Sequence, residues 1–270
     1  MTGDFRGGES SSSFGGPLLT TTPTWGRREI GIGIVAALIA VAILAFTIVY
    51  PVVAAYGENS VGSLAAQAIA SMLWEGGLVL IVYRLVKSKA AGWRQLGLRK
   101  PSESSFPVPQ RKRVFSTTIP WTFWAIAGGL AVSYSLVYSY GIIVSVFDIE
   151  VLKPSQQLPD RLFDHDLVVA LFAIATVGSA PIAEEIFFRG FIFGGLRRGM
   201  GFLPASLISG GLFSVAHTNA GLVIPFTLVG MVMANTYERS GTLYASITVH
   251  FFFNLFSFLI LVLVPEARNQ

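Results

Sequence analysis

The chain has 270 residues, 53% of them apolar and only 13% charged, about half the charge of an ordinary soluble domain. With a mean hydropathy of +0.63, that balance excludes a soluble globular protein and reads as an integral membrane protein. There is no cysteine, which excludes disulfides, thiolate metal sites and cysteine nucleophiles.

The opening stretch, "MTGDFRGGESSSSFGGPLLTTTPTW", is rich in Gly, Ser, Thr and Pro, and residues 1–27 are expected to form a disordered tail. It lacks the basic start and apolar core of a signal peptide, and Asp4 and Glu9 argue against a transit peptide. Seven apolar runs follow, at 30–56, 62–86, 119–147, 167–197, 203–217, 219–236 and 243–264. A straight crossing needs about 20 residues, so the fifth run is short, and its Gly210-Gly211 pair signals close helix packing or a kink. The predicted fold class is all-α: a polytopic membrane helix bundle of about seven transmembrane helices. Residues 28–118 hold the first two helices and a basic connection, 119–264 the remaining core, and 265–270 a short tail.

The basic residues set the orientation. Arg6, Arg27 and Arg28 precede the first span, nine lie between Arg84 and Arg113, Arg189, Arg197 and Arg198 end the fourth span, and Arg239 precedes the seventh. Seven crossings put these on one side, 16 of the 19 basic residues, so that side is expected to be cytoplasmic. The opposite loop, Asp148 to Asp166, carries five acids against two bases. The pI near 9.5 therefore follows from topology and anionic headgroups, and no nucleic acid is expected as a partner. The expected location is the cell (plasma) membrane with the N-terminus cytoplasmic. Within the basic connection, "GWRQLGL" (92–98) suits a short amphipathic surface segment anchored by Trp93.

Ionisable residues inside spans mark function by default, and here they include Glu75, Glu184, Glu185, His217 and His250, with Asn254 as a buried amide. His250 and Asn254 are four apart and share a helix face, as do Glu185 and Arg189, in the favourable acid-before-base order. Arg189 can thus neutralise Glu185, leaving Glu184 about 100° around the helix. If the fourth helix turns at "GMG" (199–201), Glu184 and His217 both stand about 24 Å from the turn. His250 lies about 15 Å beyond its own turn at Ser240, and a modest projection of the first hairpin would bring all three to one depth. Glu75 is expected to reach towards this site, towards Arg189, or into an unrelated helix contact, and His165 to be a solvated loop residue.

One carboxylate, two histidines and an amide in a dry site suit water-activated hydrolysis of an acyl or peptide bond. A buried glutamate acts as general base, a histidine orients the water, and polar donors meet the developing oxyanion. A second arrangement is a divalent metal such as zinc held by Glu184, His217 and His250, although the His-Glu-x-x-His motif is absent.

Three motifs, "EEIFFR" (184–189), "FSVAH" (213–217) and "HFFFN" (250–254), stand in order on separate predicted membrane helices. Together they resemble the CPBP intramembrane protease family of type II CAAX-prenyl endopeptidases and bacteriocin-processing (Abi-like) enzymes, over about residues 165–264. The resemblance implies proteolysis within the membrane of a membrane-associated protein or peptide, including CAAX-type C-terminal processing. It implies that Glu184 and His217 activate water, that His250 and Asn254 stabilise the oxyanion, and that Glu185 and Arg189 support them. Family members are commonly labelled metalloproteases, and some act in bacteriocin immunity or as scaffolds, which is the alternative function for this chain. A rhomboid-like serine protease using Ser209 with His250 leaves Glu184 and His217 unexplained. A proton-coupled transporter predicts an internal repeat that the sequence does not show.

Overall fold

The computed structural model describes residues 24–100, 121–153 and 160–264. The tail up to residue 23, residues 101–120 with the end of the basic connection, the centre of the acidic loop (154–159) and the tail 265–270 lie outside the described residues. Every regular element among the described residues is helical. The chain runs between the two ends of one bundle through α1 (Arg27–Tyr56), α2 (Val61–Lys87), α3 (Trp121–Val146), α4 (Asp166–Met200), α5 (Phe202–Ala216), α6 (Val223–Ser240) and α7 (Leu243–Leu263). Six of these passes are long and apolar enough to cross a membrane; α5, with 15 residues, is shorter. Its length of about 22 Å falls short of a hydrocarbon core of about 30 Å.

The reversals follow from local chemistry. Gly57, Gly201 and Gly241 take the left-handed φ values of 83°, 82° and 69° that turn the chain after a helix. Ser60 caps α2 by accepting the Ser63 N–H at 3.1 Å, and Thr242 caps α7 by accepting the Tyr244 N–H at 3.3 Å. The α5–α6 hairpin packs backbone to backbone: a Cβ on Gly210 would stand 2.6 Å from the Thr227 carbonyl oxygen, and one on Gly230 would stand 2.7 Å from Gly210 Cα. The buried core joins Leu78, Val82 and Val86 of α2 to Phe187, Phe191 and Phe193 of α4 and Tyr237 of α6. Apolar residues such as Leu38, Phe46 and Tyr138 remain exposed on the outer faces, as lipid-facing positions do.

Two segments depart from the sequence expectation. The stretch 92–98, expected as an amphipathic surface segment, is a loop docked into the bundle. Leu96 is fully buried, its carbonyl accepts the Tyr237 hydroxyl at 3.0 Å, and the Gly97 carbonyl accepts the Leu243 N–H at 2.8 Å. Gly97 makes this possible, because its φ is 96° and a Cβ there would lie 2.4 Å from the Tyr237 ring. Trp93 stays partly exposed and stacks on Tyr83 at 5.5 Å. At the other segment, Trp25 lies within the stretch expected as tail, yet it is buried. Its Nε1 donates to the Phe191 carbonyl at 2.9 Å, and the indole fills the space that Gly195 leaves open.

Candidate active site

The site is built on α4, which is not a uniform helix. It widens to π-helical turns over Ile174–Ser179 and Glu185–Phe193, with ordinary α-helix over Ala180–Glu184 between them. Pro181 has no N–H to donate to the carbonyl four residues back, which disrupts the regular ladder upstream. Part of the compensation comes from another helix: Asn254 of α7 donates its Nδ2 to the Thr176 carbonyl at 2.7 Å. Widened turns of this kind re-aim side chains and concentrate at functional sites.

The second widened turn carries Glu185 and Arg189, both fully buried, with Arg189 Nη1 2.7 Å from Glu185 Oε1. The contact is an ion pair without hydrogen-bond alignment, and the three guanidinium nitrogens have no other hydrogen-bond partner. The cation lies instead over the face of Phe213, with Cζ 4.3 Å from the ring centroid. His250 Nδ1 meets the same Glu185 oxygen at 3.0 Å. A carboxylate only accepts, so Nδ1 carries the hydrogen and Nε2 is turned towards Glu184, whose Oε2 lies 3.7 Å away.

Glu184 differs from its neighbour. Its side chain keeps 17% of its surface, and its buried Oε2 has no hydrogen-bond partner. It lines a cavity of about 610 Å³ together with His217, Thr218, Glu75, Ser71 and Gln67, within the size range of ligand sites. His217 caps the end of α5, and its Nδ1 lies 2.8 Å from the carbonyl of Phe213. That bond assigns the hydrogen to Nδ1 and leaves Nε2 as an acceptor for the cavity. Thr218, immediately after it, has a φ of 53°, an outlier for a β-branched residue. The chain thus turns sharply where the short α5 delivers His217 inside the bundle. Phe213 contacts both histidine rings, at 4.7 Å from His217 and 5.6 Å from His250.

The structure therefore gathers Glu184, Glu185, Arg189, His217 and His250 around Phe213. Asn254 is tied to α4 through Thr176. Among the described residues no three His, Asp or Glu side chains are gathered so as to hold a metal ion. Within the suggested set of Glu184, His217 and His250, Nδ1 of each histidine is engaged, by Glu185 and by a backbone carbonyl, and Nε2 of each is left for another partner. Ser209 donates to the Phe188 carbonyl at 2.7 Å and pairs with no histidine. His165 is exposed. Glu75 of α2 accepts from Ser71 Oγ at 3.0 Å and from Ser179 Oγ of α4 while lining the same cavity as Glu184. Its place opposite α4 carried no sequence signal beyond a carboxylate at membrane depth.

Residues 166–256 match the family described as "Type II CAAX prenyl endopeptidase Rce1-like". The chain is 30% identical over 146 residues to "Putative membrane peptidase YdiL" of Bacillus subtilis (strain 168), covering 54% of this chain and 58% of that protein. It is 24% identical over 138 residues to "UPF0177 protein YxdF" of Lactococcus lactis subsp. lactis (strain IL1403), covering 50% and 73% respectively. No solved structure matches significantly.

Proposed function

We propose, from the likeness of residues 166–256 to the type II CAAX prenyl endopeptidases and of the chain to a putative membrane peptidase, that it is a CPBP-type intramembrane endopeptidase in which Glu184 and His217 activate water against a membrane-associated protein or peptide. The observation that carries this reading is the contrast between the two adjacent glutamates. Glu185 is fully buried, charge-balanced by Arg189 and bonded to His250, whereas Glu184 keeps 17% of its side-chain surface and lines the cavity beside His217.

Hydrolysis follows from these groups. A water in the cavity gives a proton to the Glu184 carboxylate while Nε2 of His217 accepts its other hydrogen and orients it. Its oxygen adds to the carbonyl carbon, and the negative charge moves to the carbonyl oxygen. The carbon–nitrogen bond then breaks as Glu184 returns its proton to the leaving amine. His250 is held by its Nδ1–H on Glu185, with Nε2 turned towards Glu184 at the edge of the site. Asn254 has one amide hydrogen on Thr176 and one left for an oxyanion. This reading assigns every step to side chains, since the described residues gather no cluster of three His, Asp or Glu ligands. CAAX-type C-terminal processing is the form of the reaction that the matched family's description favours. The plasma membrane, with the N-terminal end of α1 on the cytoplasmic side, is the location that the distribution of basic residues favours.

Glu184→Gln tests the assignment, because Gln keeps the shape and cannot take a proton. Cleavage of a peptide library in detergent should fall by about 10²–10⁴-fold with the melting temperature unchanged. Wild-type turnover in Glu184→Gln would reject the proposal.

A further inference from the structure

Most of the cavity wall lies outside the segment matched to the family. The residues opposite Glu184 and His217 come from α1 and α2. The polar ones on α2 are Gln67, Ser71 and Glu75. They are spaced four apart and therefore form one stripe along a single helix face. A polar stripe on a membrane helix is costly, and it persists where it faces a partner or a wet cavity. Helix packing accounts for only part of it. Glu75 takes the hydroxyls of Ser71 and Ser179, which ties α2 to the turn of α4 just before Glu184. The carboxamide of Gln67 makes no hydrogen bond among the described residues, although it is half-buried and lines the cavity.

We propose that the Gln67–Ser71–Glu75 stripe is the substrate-positioning wall, and that its ligand is the unwound backbone of a membrane-embedded peptide. The inference rests on the endopeptidase reading. A helical segment shields its peptide bonds, so it must unwind before water can attack. The N–H and C=O groups released at membrane depth then find no water and need protein partners. Gln67 supplies both a donor and an acceptor, and Ser71 and Glu75 have acceptor capacity beyond the bonds they already make. The stripe spans about 12 Å, the length of about four residues of extended chain. It ends at Glu75, on the cavity that Glu184 and His217 also line. The wall thus selects for segments that unwind readily, in which a helix breaker stands close to the scissile bond.

Two fluorescent peptides in dodecylmaltoside micelles test this. One is a twenty-residue apolar sequence interrupted by Gly-Ser-Gly, and the other is an unbroken run of twenty leucines. Binding is read by anisotropy on protein carrying Glu184→Gln, and cleavage of a quenched form of the broken peptide is read on protein with Glu184 intact. Gln67→Leu should weaken binding of the broken peptide about 3- to 10-fold, the worth of one or two hydrogen bonds in this setting. KM should rise by a similar factor with kcat within about twofold. Affinity for the unbroken peptide should not change, which a merely structural role for Gln67 would not predict. Gln67→Met, which keeps the side-chain length, should behave as Gln67→Leu does. Equal affinity of parent and variants for the broken peptide overturns the proposal, as does the absence of saturable binding to the parent. Binding that depends on Gln67 without any cleavage leaves the wall standing and sinks the endopeptidase reading; cleavage with binding indifferent to Gln67 does the reverse.

Discussion

Arg189→Met probes the buried charge arrangement most directly. Glu185 and Arg189 are both fully buried, 2.7 Å apart, so neither charge is screened by solvent. Removing one partner of such a pair leaves an uncompensated charge and costs about 3–5 kcal/mol. The contact from His250 Nδ1 at 3.0 Å remains, so the lower end of that range is expected for Arg189→Met. Glu185→Gln strands the guanidinium, which keeps the Phe213 face at 4.3 Å and the more distant Phe188 ring at 6.0 Å, and should fall at the upper end. The double variant Glu185→Leu with Arg189→Met removes both charges and replaces them with apolar groups, which is often close to neutral. It should therefore be more stable than either single variant, with a coupling energy of at least about 2 kcal/mol. Unfolding free energies from SDS titration in mixed micelles, measured for all four proteins, close the cycle. If the two single effects simply add within about 0.5 kcal/mol, the pair is not coupled and the reasoning is refuted.

Gly210→Ala should lose about 1–3 kcal/mol in the same titration, because its Cβ would meet the Thr227 carbonyl oxygen at 2.6 Å and the Met231 nitrogen at 3.3 Å, backbone atoms that cannot swing away. Gly211→Ala, with nothing within 4 Å, should be neutral or slightly stabilising. Cysteines placed at Ser88 and Lys153 lie at opposite ends of the bundle, and an impermeant reagent applied to intact cells should label the second and spare the first; equal labelling of both would overturn the topology. Elemental analysis of purified, active protein should find well under one zinc per chain, and a chelator should leave activity intact, whereas activity lost and restored together with one tightly held zinc would reject the assignment of every step to side chains.

The crossings and the polar residues at depth were legible because both depend on transfer from water to hydrocarbon, a cost that a single sequence displays directly. Glu185 with Arg189 was readable for a similar reason, since their spacing of four puts them together on any helix. The parts that were not legible depend on contacts between residues far apart in sequence. Trp25 belongs with the core only because Gly195, 170 positions later, leaves room for an indole. The 92–98 loop looks amphipathic in isolation, and its buried state depends on Tyr237 and Leu243. Arg197 counts as a cytoplasmic charge in the sequence, yet it is buried in a two-pronged pair with Glu238 of α6, Nε to Oε2 at 2.8 Å and Nη2 to Oε1 at 2.7 Å. The expected orientation does not depend on where Arg197 finally rests, because the rule concerns charges that resist translocation during insertion.

The junction of ordinary and widened helix in α4 is where two adjacent glutamates stand at membrane depth with different surroundings. Neighbouring positions on a helix point about 100° apart, so one carboxylate can be neutralised without quenching the other. Glu185 turns into the bundle, where Arg189 balances its charge and His250 bonds it. Arg189 is held by an aromatic face and not by further acceptors, so it brings no hydrogen-bond network that would extend to Glu184. The Phe213 ring that carries the cation also packs against both histidines, fixing their orientation without offering either nitrogen a partner. Glu184 is consequently left without a counter-cation of its own, with part of its carboxylate open to the cavity that His217 also lines, which is where a general base has to stand.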